Sequence, residues 1–383
     1  MKRDQVNGIL INDTSGTSNP GCQGTVHCLL NGFQKQGITF ISRVPVGHFY
    51  EVFSGCYTDR PSPSFLLRIR NSVRRRFGFE RKRSSPSQIR KICPSKLENA
   101  IKMVQDRLAP AWVSADFVLV NGEGTIHHNN VGAISLIAFC AAASRMRKRV
   151  VLVNCSVTHL DELMLGILHE SVDYLSVREP ITHRYLETNG IHSTLAADCL
   201  FLAQPFAAAV ESAILRLPYP EPYVIYTPGV LAGSGPVNAQ QIASDIAELR
   251  SQGDPVVYLT VESEDERLAA SASSAGAKVL PLGFVRWDQM PTLLAGAKLV
   301  VSGRYHINIF AALAGVPFIP METNTQKMQG VLELLSPDAT VNVRSWGSSE
   351  ISAGILDFEL AFTAPPEAVA RCGTLACNNL VLS

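Results

Sequence analysis

Short runs of β-branched and apolar residues alternate with amphipathic segments along most of the chain, and this alternation limits the fold more than any single motif. GILIND (8–13), ITFISRV (38–44), DFVLVNGEG (116–124), RVVLVNCSV (149–157), DYLSVRE (173–179) and HSTLAADCL (192–200) read as strands or strand-and-turn units. Helical patterns near 23–36, 96–113, 131–146, 160–170 and 180–189 separate them. Residues 204–222, QPFAAAVESAILRLPYPEP, end in prolines and read as a linker. The pattern then restarts. YVIYTPG, VVYLTVE, AKVLPLG, KLVVSG and VPFIPME are strands, and 238–252, 264–275, 287–295, 306–314 and 325–335 are helices. Such alternation implies parallel sheets covered on both faces. The expected architecture is α/β: two doubly wound Rossmann-like domains facing a cleft. The first spans 1–205, with a basic insertion at about 66–97. The second spans 220–340, and a tail, 341–383, packs back.

Length and composition are consistent with two such domains. The chain has 383 residues, 46% of them hydrophobic and 17% charged. That is enough apolar material for two cores. A net charge of +1 makes no case for a nucleic-acid partner. The charge is uneven, however. Residues 68–97, RIRNSVRRRFGFERKRSSPSQIRKICPSKL, hold eleven Lys and Arg against one acidic residue, Glu80. This stretch is either a solvated insertion or a patch for anionic lipid headgroups or a lipid-diphosphate substrate, with Leu66, Leu67, Ile69, Val73, Phe77 and Phe79 interleaved. Nine dispersed cysteines without a C-x-x-C suit a reducing compartment better than a disulfide framework. MKRDQVNGILINDTS is too short and polar for a signal peptide, and VGAISLIAFCAAA (131–143) is too short to span a bilayer. The expected location is cytoplasmic, with peripheral contact at the inner face of the membrane left open.

In doubly wound folds, ligands bind beyond the carboxyl ends of strands, where loops lead into helix N-termini. Several sequences place polar groups there. In SGRYHINIFAALAG (302–315), Arg304 and His306 stand between a buried strand and an apolar helix closed by Gly315. Neither element needs a cation for packing. Arginine at a helix N-terminus makes an anion site. In VNGEGTIHHNN (120–130), Gly122 and Gly124 permit close backbone approach, Thr125 can cap the next helix, and Glu123 is expected to be exposed at the turn, as a base or a holder of sugar hydroxyls. Asn19, Gly21 and Gly24 in SNPGCQGT form a third such turn, or a plain β–α connection. Arg178, at the strand end in LSVREP, either serves a ligand or pairs with a carboxylate. Lys327 is either a phosphate ligand or solvated. His127 and His128 are adjacent and diverge, with no third ligand at a suitable spacing, so no metal site is expected. Walker, G-x-S-x-G, kinase and H-E-x-x-H motifs are absent.

Taken together, SNPG, DFVLVNGEGT, the strand-end arginine of LSVRE, the aspartate of AADCLFL, and LVVSGRYHINIFAALAGVPFIPM followed by Lys327 resemble the polysaccharide pyruvyl transferase family over about residues 8–335. The R-x-H segment is the most specific part. The resemblance implies two domains of the GT-B glycosyltransferase type. It also implies transfer of a pyruvyl group from phosphoenolpyruvate to two hydroxyls of a sugar, forming a ketal, with no cofactor. On that basis Arg178, Arg304, Lys327 and Asn324 hold the donor, and His306 protonates it. Asn19, Gly21, Gly122, Gly124, Thr125, His127, Asp198 and Glu322 contact a saccharide or lipid-linked saccharide acceptor, and Glu123 accepts the attacking hydroxyl's proton. Cys22 stands where many members have aspartate, and Gly122-Glu123-Gly124 where many have a glycine run.

The chemistry suits these residue types. Phosphoenolpyruvate carries a phosphate and a carboxylate, and arginine's planar fork grips either one bidentately. A histidine near two anions tends to stay protonated and can act as a general acid. Two rival readings stay open. One is a GT-B glycosyltransferase whose cations stabilise a departing nucleoside diphosphate. The other is a saccharide-binding protein that keeps the scaffold without catalysis.

Overall fold

Val6–Ile11 (β1) pairs in parallel with Ile38–Val44 (β2) on one side and with Phe117–His127 (β3) on the other, so chain order reverses across β1. The sheet continues through Arg149–Thr158 (β4), Tyr174–Val177 (β5) and the two-residue Thr194–Leu195 (β6), giving the order β2-β1-β3-β4-β5-β6. A second sheet is built the same way. Tyr223–Thr227 (β7) lies between Val256–Leu259 (β8) and Ala297–Ser302 (β10), with Lys278–Leu280 (β9) and Phe318–Pro320 (β11) outermost, in the order β11-β10-β7-β8-β9. These strands belong to a computed structural model that describes residues 6–58, 89–203, 219–220, 222–229, 237–337, 341–346 and 361–382.

Helices connect the parallel strands: Pro20–Lys35 (α1), Tyr50–Ser54 (α2), Pro94–Val113 (α3), Val131–Arg145 (α4), Glu162–Ser171 (α5) and Pro180–Thr188 (α6) run among the first six strands. Ala239–Ser251 (α7), Ser263–Glu266 (α8), Ala269–Ser274 (α9), Met290–Ala295 (α10), Tyr305–Ala314 (α11), Lys327–Leu335 (α12) and Pro366–Ala376 (α13) accompany the second sheet. Strand β7 shows why its sequence is uniformly apolar. Tyr223 and Ile225 enter a core with Phe310 and Leu332, whereas Val224 and Tyr226 enter another with Ile242 and Ile246. Alternate side chains leave a strand on opposite faces, and here both faces are buried. The chain is therefore α/β with two Rossmann-like domains, as the alternation implies.

Contacts group residues 1–13, 37–175 and 185–192 into one compact unit, and 14–36, 176–184 and 193–383 into the other. This differs in kind from a boundary drawn along the chain at 205–220, because α1 and the segment around Arg178 join the second unit. The end of the tail lies in that unit too: Asn379 bonds Ser176 and the Ala197 carbonyl.

Several local expectations change. The sequence 120–127 is not a turn opening a helix. β3 runs on to His127, and its register against β4 shifts between Glu123 and Ile126, with Glu123 at φ 47°. The helix cap is Asn130, which accepts the Ala133 N–H at 2.9 Å, not Thr125. HSTLAADCL contracts to β6, because Asp198 caps a 3-10 helix at Cys199–Leu202. The helix expected at 264–275 breaks into α8 and α9. Residues 68–88 of the basic stretch, including Ile69, Val73, Phe77 and Phe79, lie outside the described residues, as do Leu66, Leu67 and 204–218 of the proline-rich segment. Among the described residues no helix is long and apolar enough to cross a membrane.

Candidate functional site

In the second unit the strand order reverses between β7 and β10, and the chain leaving β10 passes through Gly303 and Arg304 into α11. Gly303 is required there: a Cβ would lie 2.6 Å from the Pro228 carbonyl oxygen and 2.9 Å from the Trp346 ring. The Arg304 N–H donates to Ser302 Oγ at 2.9 Å, and Asn308 donates back to the Ser302 carbonyl at 3.0 Å. This turn fixes both Arg304, at the N-cap, and His306, in the first helical turn. At the far end, Gly315 closes α11 in the left-handed conformation, φ 68°.

The two side chains go to different partners. Arg304 is only 6% exposed. Its Nε and Nη2 donate to the two oxygens of Asp265, at 3.2 and 2.8 Å, which leaves the Nη1 side of the fork for another anion. Asp265 also accepts the N–H groups of Val261 and Glu262. Burial pushes its carboxyl upward, against the pull of Arg304. His306 instead meets a buried cluster. Its Nε2 lies 3.4 Å from Asp198 Oδ2, 3.4 Å from Arg178 Nη1 and 3.5 Å from Thr25 Oγ1.

Asp198 is the hub of that cluster. It is fully buried. Oδ2 accepts Arg178 Nη1 at 2.7 Å, and Oδ1 accepts the Leu200 N–H at 2.9 Å and Thr25 Oγ1 at 3.3 Å. Burial works to raise its pKa, but His306, Arg178 and the Leu200 N–H outweigh it and hold the carboxyl well below the usual carboxylate range. Arg178 is 1% exposed, and its guanidinium carbon sits 4.2 Å from the Tyr305 ring centroid. Of the two sequence alternatives for Arg178, pairing with a carboxylate is observed; the partner is Asp198, not the adjacent Glu179.

The first turn of α1 completes the site. Asn19 Oδ1 caps the helix through the N–H groups of Gly21 and Cys22, and its amide donates to Glu262 at 2.8 Å. Burial raises the Glu262 pKa, with Asn19 and Arg304 opposing. Gly21 packs against the imidazole so closely that a Cβ would sit 2.2 Å from His306 Cβ and 2.4 Å from Nδ1. Lys327, at the start of α12, is buried rather than solvated and donates to Asn324 at 3.1 Å. The Glu322 side chain is exposed, while its carbonyl accepts the Trp346 indole N–H.

In the first unit, polar residues follow β1 and stand within β3 and β4. Asn12, Asn121, Glu123 and Asn154 are buried; Asn12, Glu123 and Asn154 have positive φ. Asn121 donates to Glu123 Oε1 at 3.1 Å, and Asn154 donates to Asn121 at 3.3 Å. Glu123 is thus 6% exposed, not an exposed turn residue: β3 continues past it and tucks the carboxylate against the neighbouring amides. Gly122 lies against Cys155, where a Cβ would be 2.3 Å from the Cys155 Cβ, and Gly124 follows within the strand. Thr125 packs over Gly132. His127 Nδ1 is 3.2 Å from His128 Nδ1, and His128 stacks on His159 with centroids 4.5 Å apart. Among the described residues no group of three or more His, Cys, Asp or Glu is disposed to hold a metal ion.

Thr25, Asp265 and Glu262 were not singled out from the sequence. Asp265 and Glu262 did carry a signal: VVYLTVESED puts carboxylates just past a strand's carboxyl end, where a helix begins. Thr25 has no such mark.

The sequence model described as polysaccharide pyruvyl transferase matches residues 26–325. No curated protein matches the chain in sequence. Solved structures share the fold. A Methanocaldococcus jannaschii UDP-GlcNAc 2-epimerase, in complex with UDP-GlcNAc and UDP, has a TM-score of 0.55 at 11% identity, covering 96% of this chain and 97% of that one. A Neisseria meningitidis UDP-GlcNAc 2-epimerase bound to UDP-GlcNAc gives 0.52 at 12% identity, covering 98% and 97%. A Listeria monocytogenes protein assigned as a UDP-N-acetylglucosamine 2-epimerase gives 0.57 at 11%, covering 98% and 94%. At such identities the likeness shows a shared GT-B-type fold.

Proposed function

Since this chain belongs to the polysaccharide pyruvyl transferase family, we propose that it moves a pyruvyl group from phosphoenolpyruvate to two hydroxyls of a polysaccharide sugar or its precursor, forming a ketal. The observation that carries this reading is the pairing of functions at one strand end. Arg304 offers part of its guanidinium beside α11, and two residues on, His306 sits between an ionised carboxylate and a guanidinium.

Phosphoenolpyruvate needs two things here: cationic or N–H donors for its phosphate and carboxylate, and an acid for its methylene carbon. Arg304 and Lys327 supply the cations, and the first turn of α11 supplies a positive helix end. Protonated His306 gives its proton to the methylene carbon, which becomes a methyl group. Positive charge builds at the neighbouring carbon, and a sugar hydroxyl oxygen adds there with loss of its proton. Breaking of the C–O bond to phosphorus releases inorganic phosphate. A second hydroxyl then adds to the same carbon, loses its proton and closes the ketal. Within the first unit, taken by itself, the Asn12–Asn121–Glu123–Asn154 group has the chemistry to hold saccharide hydroxyls. Amides and a carboxylate suit the donor and acceptor pattern of sugar hydroxyls.

Phosphate release from phosphoenolpyruvate, followed across a panel of free, nucleotide-linked and lipid-linked saccharides, tests the reading. A ketal product on one acceptor class is expected. A second reading, transfer from a nucleotide sugar, draws on the fold neighbours solved with UDP-GlcNAc and UDP. Consumption of a nucleotide sugar, with phosphoenolpyruvate untouched, would favour it.

A further inference from the structure

We propose that Cys56 and Cys93 form a redox pair: a peroxide oxidises the Cys93 sulfur, and Cys56 then closes a disulfide that joins the two ends of residues 57–92. This pair lies wholly within the first unit, and it does not depend on the pyruvyl-transfer reading.

The backbone sets the two cysteines opposite each other. Tyr57 and Ile92 form an antiparallel bridge. On one side of it the Thr58 N–H donates to the Lys91 carbonyl at 3.1 Å, and on the other the Cys93 N–H donates to the Cys56 carbonyl at 2.8 Å. Cys56 and Cys93 are therefore the next cross-strand pair. Residues hydrogen-bonded in this way have Cα atoms about 5.5 Å apart, inside the span of about 4.4–6.8 Å that a disulfide bridges. Both sulfurs lie at the first turn of α3: Cys56 Sγ donates to the Lys96 carbonyl at 3.7 Å, and Cys93 Sγ is 3.4 Å from Ser95 Oγ. Both are free thiols. The bridge is also anchored on each side. The Tyr57 hydroxyl donates to the Asn129 carbonyl at 2.8 Å, and the Asn129 amide donates to the Arg90 carbonyl at 2.9 Å. The Arg90 guanidinium carbon lies 3.4 Å from the Tyr57 ring centroid. One residue just past β3 thus holds both strands, and the cysteines stay in register.

Their surroundings divide the roles. Cys93 is the N-cap of α3 and is half-buried. The positive end of a helix favours a thiolate. The Ser95 hydroxyl, then the Lys96 N–H, hold the Cys93 thiol below its ordinary value. Cys56 is 1% exposed, and burial pushes its thiol up to about 11. Cys93 is the sulfur that meets an oxidant, and Cys56 is the one that resolves. The Cys93 thiolate attacks one oxygen of hydrogen peroxide, the O–O bond breaks, and hydroxide leaves a sulfenic acid behind. The Cys56 sulfur then displaces the sulfenic oxygen, which departs with the Cys56 proton as water. Two thiols lose two electrons and two protons, and the peroxide is reduced to two waters. Cys140 and Cys155 also neighbour each other, but both are wholly buried and burial raises the Cys140 thiol, so neither presents a thiolate to a peroxide.

The test exposes the full chain to a modest excess of hydrogen peroxide, blocks the remaining thiols with N-ethylmaleimide and maps the peptides by mass spectrometry. A peptide pair joined through Cys56 and Cys93 is expected, and dithiothreitol should restore both thiols. Cys93→Ser installs a favoured cap residue and is expected to fold; its Cys56 should remain a thiol under the same exposure. In Cys56→Ala the sulfenic acid on Cys93 has no resolving partner and should be trapped by dimedone. A folded protein that shows no Cys56–Cys93 link after exposure, or links only among its other cysteines, overturns the proposal. So does a Cys56 that is oxidised as readily in Cys93→Ser as in the unsubstituted chain.

Discussion

A methyl group on residue 21 has nowhere to go. Its position overlaps the Cβ and ring of His306, and the His306 Cβ is carried rigidly by α11. Gly21→Ala should therefore cost about 1–3 kcal/mol of stability through overpacking and lower turnover at least tenfold by displacing the imidazole. Thermal unfolding and initial rates on the same preparation check both parts; full activity would show that the imidazole position is not needed. Asp198→Asn should cost more, about 3–5 kcal/mol, because it removes the carboxylate that the buried Arg178 guanidinium meets at 2.7 Å, and denaturant unfolding measures it. At this scale the sequence was informative about residue type and poor about pairing. Arg178 and His306 stood out as polar groups at strand ends. That one carboxylate joins them, twenty residues from one and far along the chain from the other, depends on how β5, the 3-10 helix at Cys199 and α11 pack, which no local pattern encodes.

Helix α11 is the element whose sequence and structure agree most closely. An apolar run after a buried strand, ended by glycine, became Tyr305–Ala314 with Gly315 in the left-handed conformation. Gly315→Ala has room for its methyl, so its cost should be conformational alone, about 1 kcal/mol. Activity at a temperature well below unfolding should be unchanged. A much larger loss in a denaturant titration would mean that the helix end carries more than a cap. By contrast, 120–127 misled because two glycines around a glutamate suggest a turn. In a buried parallel strand they do something else. Gly122 lets β3 approach Cys155, and Glu123 takes up the positive φ of the register shift. Sequence spacing cannot distinguish these uses, since both call for residues without bulk.

Across the molecule, both sheets reverse order beside their first strand, and the polar clusters follow strands next to those reversals: Asn12, Asn121 and Glu123 after β1 and in β3, Arg304 and His306 after β10. The strand and helix alternation made this architecture legible. It did not reveal that α1 and Arg178 group with the later half of the chain. Stability should carry the mark of Asp198. Its folded pKa is depressed below the unfolded value of about 3.9. Its contribution is thus fully present well above that pH and is lost as pH falls through the unfolded value toward the lower folded one. Unfolding free energy measured between about pH 6 and pH 3 should drop toward the acid end, and the drop should be shallower in a folded Asp198→Asn variant. The most direct test of the central claim is turnover of phosphoenolpyruvate with a saccharide acceptor by the full chain and by His306→Gln. Phosphate and ketal should appear together with the histidine present and fall more than tenfold without it, in a variant that unfolds at the same temperature. Equal rates in the two proteins would contradict the account.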